Sequence, residues 1–377
     1  MNIKEIQAKS ILRKYKKIES WFLTNYSMNL YRGCEHNCFY CDGRHEKYQI
    51  NGNFGEEVIV KTNAIEILNK ELDPKRKRKT MKKGFIGLGG GVGDSYQPVE
   101  KKYKLCQKSL KLFHKYRFPV HILTKSSLIK RDIDLIKEIN KQESAIVSFS
   151  FSSTNDDISY VFEPGVPPPS ERLETIKLFK KEGVFCGMYL MPVIPFITDT
   201  SSIIDESIRD ARKAGIDFVI FGTLTLKEGR QKEYFLKMIK NKHPDLIPKY
   251  NSIYQNNFYG SAVKSYNDLI HNRFNIAAKK YNLPKRIPPK IFSDILDEND
   301  KVIVILEHID YLLKLRGLSS SFGYAAYSIS KIKKPLSELN TNIIDVKGIG
   351  IKTEKIINEI LETGRSGYYE KLLDIKS

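Results

Sequence analysis

Cys34, Cys38 and Cys41 lie in the run Asn29-Leu30-Tyr31-Arg32-Gly33-Cys34-Glu35-His36-Asn37-Cys38-Phe39-Tyr40-Cys41. The spacing is C-x3-C-x2-C, with an aromatic residue just before the last thiol. Three thiolates this close can hold three corners of a four-iron cluster and leave one iron without a protein ligand. An open iron can bind and break a cofactor, which points to radical chemistry rather than electron storage. A structural zinc site is the competing use. It wants four tetrahedral ligands, and His36 or His45 is near enough in sequence to offer a fourth. A disulfide framework fits poorly, because five cysteines in 377 residues is sparse and odd in number.

The elements that must position these thiols follow from the apolar pattern. Strands are expected at Val58–Lys61, Phe85–Leu88, Val120–Thr124, Ile146–Phe151, Phe185–Pro192 and Phe218–Phe221. Helical patterns lie between them at Ala64–Leu72, Lys101–Tyr116, Ile129–Asn140, Ser170–Lys181 and Thr200–Ala214. Regular alternation of this kind argues for a parallel sheet covered by helices. Six units suit an α/β fold built as a partial (β/α)6 barrel, with its chemistry at the C-terminal ends of the strands.

Unusual residues gather at those strand ends. Phe85–Leu88 runs into Gly89-Gly90-Gly91-Val92-Gly93-Asp94-Ser95-Tyr96-Gln97-Pro98, which matches neither a phosphate-binding loop nor a dinucleotide fingerprint. Its glycines let main chain approach a ligand closely, and the polar residues packed after them make it a candidate cofactor loop. Lys125, in Thr124-Lys125-Ser126, could meet a carboxylate. In Ser148-Phe149-Ser150-Phe151-Ser152 the serines share one face, a candidate ligand wall.

Four regions follow. Residues 1–28 form a basic extension expected to be helical, 29–225 carry the barrel, and 226–290 form a helical, irregular extension and linker. Residues 291–377 make a small all-helical domain. Leu339–Gly364 reads as a short helix, the hairpin Lys347-Gly348-Ile349-Gly350, and a second helix beginning near Lys352. Such a hairpin buries its isoleucine and exposes amides at a helix N-terminus, where a phosphate oxygen can sit. It resembles the helix-hairpin-helix module of DNA repair and recombination proteins. Lys347, Gly348, Gly350, Lys352 and Thr353 are its candidate DNA contacts.

Lys and Arg number 63 against 44 Asp and Glu, a net charge of +19 that favours a polyanionic partner. The most basic run, Asp73–Lys83, reads as an exposed loop. No apolar run approaches the ~18–20 residues of a membrane span, and Met1–Lys17 has no signal-peptide stretch. A cytoplasmic location, which permits free thiolates and iron clusters, is the expectation.

The cysteine segment resembles that of radical S-adenosylmethionine (SAM) enzymes. More of the chain is similar to one branch, the spore photoproduct lyase-like proteins. The matching stretches are Asn29–Cys34, Gly93–Pro98, Thr124-Lys125-Ser126 with Arg131-Asp132, Phe162-Glu163-Pro164-Gly165 with Glu171-Arg172-Leu173, and Gly187–Pro195. They occur in order across about residues 20–225; the hairpin region lies outside them.

The resemblance implies that Cys34, Cys38 and Cys41 hold a [4Fe-4S] cluster whose open iron is chelated by SAM. It implies reductive cleavage to a 5′-deoxyadenosyl radical, with an electron from a donor such as flavodoxin or ferredoxin. Tyr40 would lie near the adenine, Gly91, Asp94 and Ser95 near the methionine amino group, and Lys125 toward its carboxylate. Ser150 and Ser152 would lie toward ribose or carboxylate. The implied activity is repair of a thymine photoproduct or bulkier adduct in damaged duplex DNA. RNA modification, or nucleic-acid binding with a structural or redox-sensing cluster, are the alternatives. One departure is plain: the spore enzymes carry a hydrogen-donating cysteine in the loop after the second strand, and this chain has no thiol there. Cys106 reads as core, which leaves Tyr96 and Cys186 as candidate hydrogen donors.

Overall fold

The computed structural model describes residues 1–48, 54–76, 80–255, 259–339 and 341–373. Lys77-Arg78-Lys79 of the basic run therefore lie outside the described residues. Among the described residues ten strands occur: β1 Asn2–Ile6, β2 Leu12–Glu19, β3 Thr24–Met28, β4 Tyr31–Arg32, β5 Glu57–Lys61, β6 Phe85–Leu88, β7 Val120–Thr124, β8 Ala145–Phe151, β9 Phe185–Val193 and β10 Phe218–Thr223. The main sheet runs β10-β9-β8-β7-β6-β3-β2. Its six strands from β10 to β3 are parallel and β2 is antiparallel. This is the expected partial (β/α)6 barrel, left open rather than closed.

Two expectations are corrected at the N-terminus. Residues 1–28 are strands, not helix. In β2, the lysines and Arg13 are exposed while Ile18 is buried, the pattern of a charged edge strand that resists further pairing. The strand at Val58–Lys61 is real but belongs to a separate three-stranded sheet, β1-β5-β4. The first barrel strand is instead β3, whose polar sequence hides it. Asn25 is buried there, with its amide nitrogen donating to Asp300 at 2.7 Å, 275 residues along the chain.

The helix expected over Lys101–Tyr116 breaks at Lys104, which takes φ +54°. Glu100, buried before the break, accepts from the Cys106 and Gln107 amides at 3.1 and 3.4 Å. It thereby caps the helix Leu105–Tyr116, whose opening amides have no intrahelical partner.

The described residues between 291 and 373 carry helices and short turns and no strand, as expected, with the helix Glu298–Leu315 at their centre. Their apolar faces share one core with Ile18, Leu23, Phe85, Ile146, Tyr189, Phe218 and Ile220 at the floor of the barrel. The preceding linker closes an edge: the Pro284 carbonyl accepts from Val219 of β10 at 2.8 Å. No helix among the described residues is long and apolar enough to cross a membrane.

His308 pins the helices to the floor. Its Nε2 lies 2.9 Å from the Ser20 carbonyl and its Nδ1 2.7 Å from the Tyr369 hydroxyl. Burial pushes its pKa from 6.5 down to about 3. A depressed histidine contributes stability that is full above its unfolded pKa and lost as pH falls toward the folded one. The urea midpoint should therefore decline below about pH 6.5, and His308→Gln should flatten that decline while lowering stability at pH 8.

Candidate active site

The cysteine loop between β4 and β5 is clasped by the loops that follow other strands. His36 Nδ1 bonds the Gly165 carbonyl at 2.8 Å, and the Gly165 amide donates to the His36 carbonyl at 3.1 Å. A side chain at residue 165 would come within 2.6 Å of the Glu35 carbonyl, so only glycine permits this approach. Gln97, wholly buried, accepts from the Glu35 amide at 2.9 Å and donates to the Gly33 carbonyl at 3.1 Å. From beyond β10, Gln231 donates to the Tyr40 carbonyl at 3.2 Å and to Asp42 at 2.9 Å, and Lys227 pairs with Asp42.

Cys34 and Cys38 are buried and Cys41 is half-buried. Burial, then nearby acids and the other thiols, pushes Cys34 well above its ordinary pKa, and Cys38 is pushed up to about 12. Three thiolates would repel in this setting unless cationic iron lay among them. Among the described residues, no three His, Cys, Asp or Glu side chains converge on a point that would hold a single metal ion. Both nitrogens of His36 face other groups, Gly165 and, at 3.2 Å, Asp94. The donor set fits a multi-iron cluster better than mononuclear zinc.

A second group assembles on Glu163, which is buried completely. Lys125 Nζ lies 3.0 Å from Oε1, Arg172 Nη2 lies 2.7 Å from Oε2, and the Tyr40 hydroxyl donates to Oε1. Burial would raise this carboxyl, but Lys125 and Arg172 outweigh it and hold it well below the usual carboxylate range. Lys125 also donates to Ser150 Oγ at 3.0 Å, and Arg172 Nη1 donates to the Ser150 carbonyl at 2.7 Å. Two cations thus share one carboxylate, leaving positive charge for an anionic ligand. Ser152, at the end of the same β8 face, is buried with no hydrogen-bond partner for its hydroxyl among the described residues.

Tyr40, Lys125, Ser150 and the thiol loop are brought together; other candidates are placed differently. Asp94 spends both oxygens inside the protein. It accepts from Thr124 Oγ1 at 2.7 and 2.9 Å, from the Tyr96 amide at 2.8 Å and from the Lys125 amide at 2.6 Å. It positions the β7 end rather than standing free. Gly91 is exposed beside open space, and the Ser95 carbonyl accepts from the Cys106 thiol at 2.8 Å.

Neither candidate hydrogen donor reaches this group. Tyr96 is fully buried, with its hydroxyl donating to Asp132 at 3.1 Å. Cys186 is buried at the start of β9, paired in register with Val147 and with its thiol against the Val184 carbonyl. That is the floor end of the strand, opposite the mouth. Sequence reasoning assigned no role to Glu163 or Arg172, although both fall in the matched stretches. Their pairing across nine residues follows no helical or strand period, so nothing local announces it.

At the hairpin, Gly348 has φ +87° and Ile349 is buried, while Lys347, Gly348, Gly350 and Lys352 are exposed. The helix Ile351–Thr363 starts at Gly350 with no side-chain cap. Two details differ from expectation. Residues 343–345 form a single 3-10 turn rather than a helix, and Thr353 is buried, so its side chain is not presented.

Residues 28–204 match the family model of the Radical SAM superfamily. An uncharacterized protein of Mycobacterium tuberculosis is 30% identical over 283 residues, covering 74% of this chain and 81% of the relative. The chain belongs to the radical SAM superfamily. Its cofactors are accordingly a [4Fe-4S] cluster and SAM. An uncharacterized protein of Methanocaldococcus jannaschii is 31% identical over 214 residues, 56% of this chain and 75% of that one. Among solved structures, spore photoproduct lyase complexed with dinucleoside spore photoproduct superposes with TM-score 0.53 at 13% identity, covering 74% of this chain and 79% of that chain. A mutant of the same lyase gives TM-score 0.54 at 14% identity over the same shares. At this identity the likeness establishes a shared fold.

Proposed function

We propose that this radical SAM enzyme is a DNA repair lyase acting on a thymine photoproduct or a bulkier thymine adduct. The observation that carries the reading is the joining, in one chain, of the Tyr40–Lys125–Glu163 group beside three thiols to a glycine hairpin at a bare helix N-terminus. When bound, the cluster and SAM supply a 5′-deoxyadenosyl radical. The remaining steps belong to side chains.

Cys34, Cys38 and Cys41 would hold the cluster. Lys125, with charge to spare after Glu163, would take the SAM carboxylate, and Ser152 offers an unsatisfied hydroxyl nearby. Tyr40, anchored through its hydroxyl to Glu163, would present its ring to the adenine. A lesion in a duplex must be extruded to reach the strand ends, at a cost of a few kcal/mol that damage already lowers. Lys347, the amides after Gly348 and Gly350, and Lys352 would grip phosphates without regard to sequence. That grip weakens steeply as salt rises. An external one-electron donor completes the set of partners. Hydrogen return would differ from the spore enzymes, since the two spare thiols are both buried, Cys106 against the Ser95 carbonyl and Cys186 at the floor end of β9.

The test is anaerobic incubation of reconstituted enzyme, dithionite and SAM with ultraviolet-damaged or psoralen-treated duplex DNA, followed by mass spectrometry. Reversion of a lesion is the expected result. SAM cleavage without reversion, or with modification of RNA offered in parallel, would remove the DNA-repair assignment and leave the family intact. Replacing Gly348 and Gly350 by alanine should weaken DNA binding and reduce its salt slope while uncoupled SAM cleavage persists. Equal loss of both would refute the division of labour.

A further inference from the structure

Arg44 lies in the cluster loop just beyond Cys41 and is 7% exposed. Its Nε donates to the Cys38 carbonyl at 3.2 Å and its Nη1 to the Phe54 carbonyl at 3.3 Å. Its Nη2 donates to the Asn37 carbonyl at 3.2 Å and to Asn37 Oδ1 at 2.5 Å. The guanidinium carbon sits 3.6 Å from the centre of the Tyr234 ring, on the helix Arg230–Lys242, and 5.3 Å from that of Phe54. These partners are three main-chain carbonyls, an amide oxygen and two rings, and none carries a full negative charge. Asp42, two residues earlier, is matched instead by Lys227 and Gln231. A buried guanidinium without an anion is strongly unfavourable.

We propose that Arg44 is the counter-charge of the iron–sulfur cluster, favouring its reduced state and tying the cluster loop to the helix Arg230–Lys242 through Tyr234. The inference rests on the superfamily assignment and not on the identity of the substrate. A cluster held by three thiolates gains one negative charge when it takes an electron from an external donor. A fixed positive charge beside it stabilises that reduced form more than the oxidised one, which raises the reduction potential. Arginine suits the task because it stays protonated at any working pH and its planar fork spans several carbonyls at once. Of the other nearby cations, Lys125 and Arg172 face the shared carboxylate Glu163 and Lys227 faces Asp42, whereas Arg44 faces no carboxylate among its partners.

The experiment compares reconstituted wild type, Arg44→Gln and Arg44→Lys, without SAM. Iron and sulfide content are measured, and the reduced cluster is titrated by electron paramagnetic resonance against potential. Arg44→Gln should show a roughly tenfold lower ratio of reduced to oxidised cluster at the wild-type midpoint, a shift of about 59 mV for a one-electron couple. Arg44→Lys keeps the charge and loses the fork, so it should load less cluster but titrate near wild type. An unchanged midpoint in Arg44→Gln, or an equal shift in Arg44→Lys, overturns the proposal. A third reading covers failure to load. Where Arg44→Gln does not load, the charge-keeping Arg44→Lys should still load cluster. Failure of both variants to load would make Arg44 a strut for the loop carbonyls and refute the electrostatic role.

Discussion

Replacing any one of Cys34, Cys38 or Cys41 by alanine is expected to lower reductive SAM cleavage by at least about a thousandfold, since members of one catalytic unit fail together. The three thiols are the cluster's protein ligands on this reading, and among the described residues no further His, Cys, Asp or Glu joins them in a metal-holding group. His36, the nearest alternative, is held by Gly165 and Asp94. Each variant should also lose iron, sulfide and visible absorbance after reconstitution, read before any turnover. Alanine at Cys106 or Cys186 is the control. Both are buried in the barrel core outside the cysteine loop, so their loss should cost about 1 kcal/mol of stability through a small cavity and leave cluster content intact. A cluster that survives at wild-type content in the Cys38→Ala protein would remove that ligand from the set.

The second large effect concerns stability. Glu163→Gln should destabilise the protein by about 3–5 kcal/mol, the usual cost of breaking a buried ion pair from one side. Arg172 is 0% exposed and would keep only the Ser150 carbonyl and Ser159 hydroxyl as partners, with Lys125 unpaired beside it. The pH dependence has a definite sign. A carboxyl held below its ordinary value contributes stability that is complete above the unfolded pKa, near 4.5, and lost only as pH falls through the lowered value. The deficit of Glu163→Gln, measured by urea unfolding, should therefore be constant from about pH 5 to 8 and shrink in stronger acid. Coupling Glu163→Leu with Arg172→Met should recover part of it, because no charge is then left buried. A deficit below about 1 kcal/mol at pH 7 would mean that Arg172 finds another partner.

Much of the barrel was legible because its central strands are buried on both faces and read as short apolar runs. β6 and β7 fall where the pattern put them, and β8, β9 and β10 within one or two residues. What failed was local polarity rescued from afar. Thr24–Met28 carries no apolar run, and the amide nitrogen of its buried asparagine donates to an aspartate in the C-terminal helices. The break at Lys104 was hidden because Glu100 looks like an ordinary helical acid until its carboxylate is seen capping the next helix. Likewise Tyr96 and Cys186 looked available as hydrogen donors until burial and strand register placed them elsewhere.

The amino-acid sequence by itself determined the first step of the chemistry. Three thiols at C-x3-C-x2-C spacing can hold three corners of a cluster and leave one iron open, because near positions in one loop need no fold to bring them together. Only the tertiary structure decided how that loop is held and charged. Gly165 and Gln97 reach it from distant loops and Gln231 from the helix Arg230–Lys242, and Lys125 and Arg172 converge on Glu163 from separate elements. Arg44 is the intermediate case, near the cysteines in sequence and yet ordinary there. Its meaning as an unmatched cation appears only when burial removes the water that would otherwise have screened it.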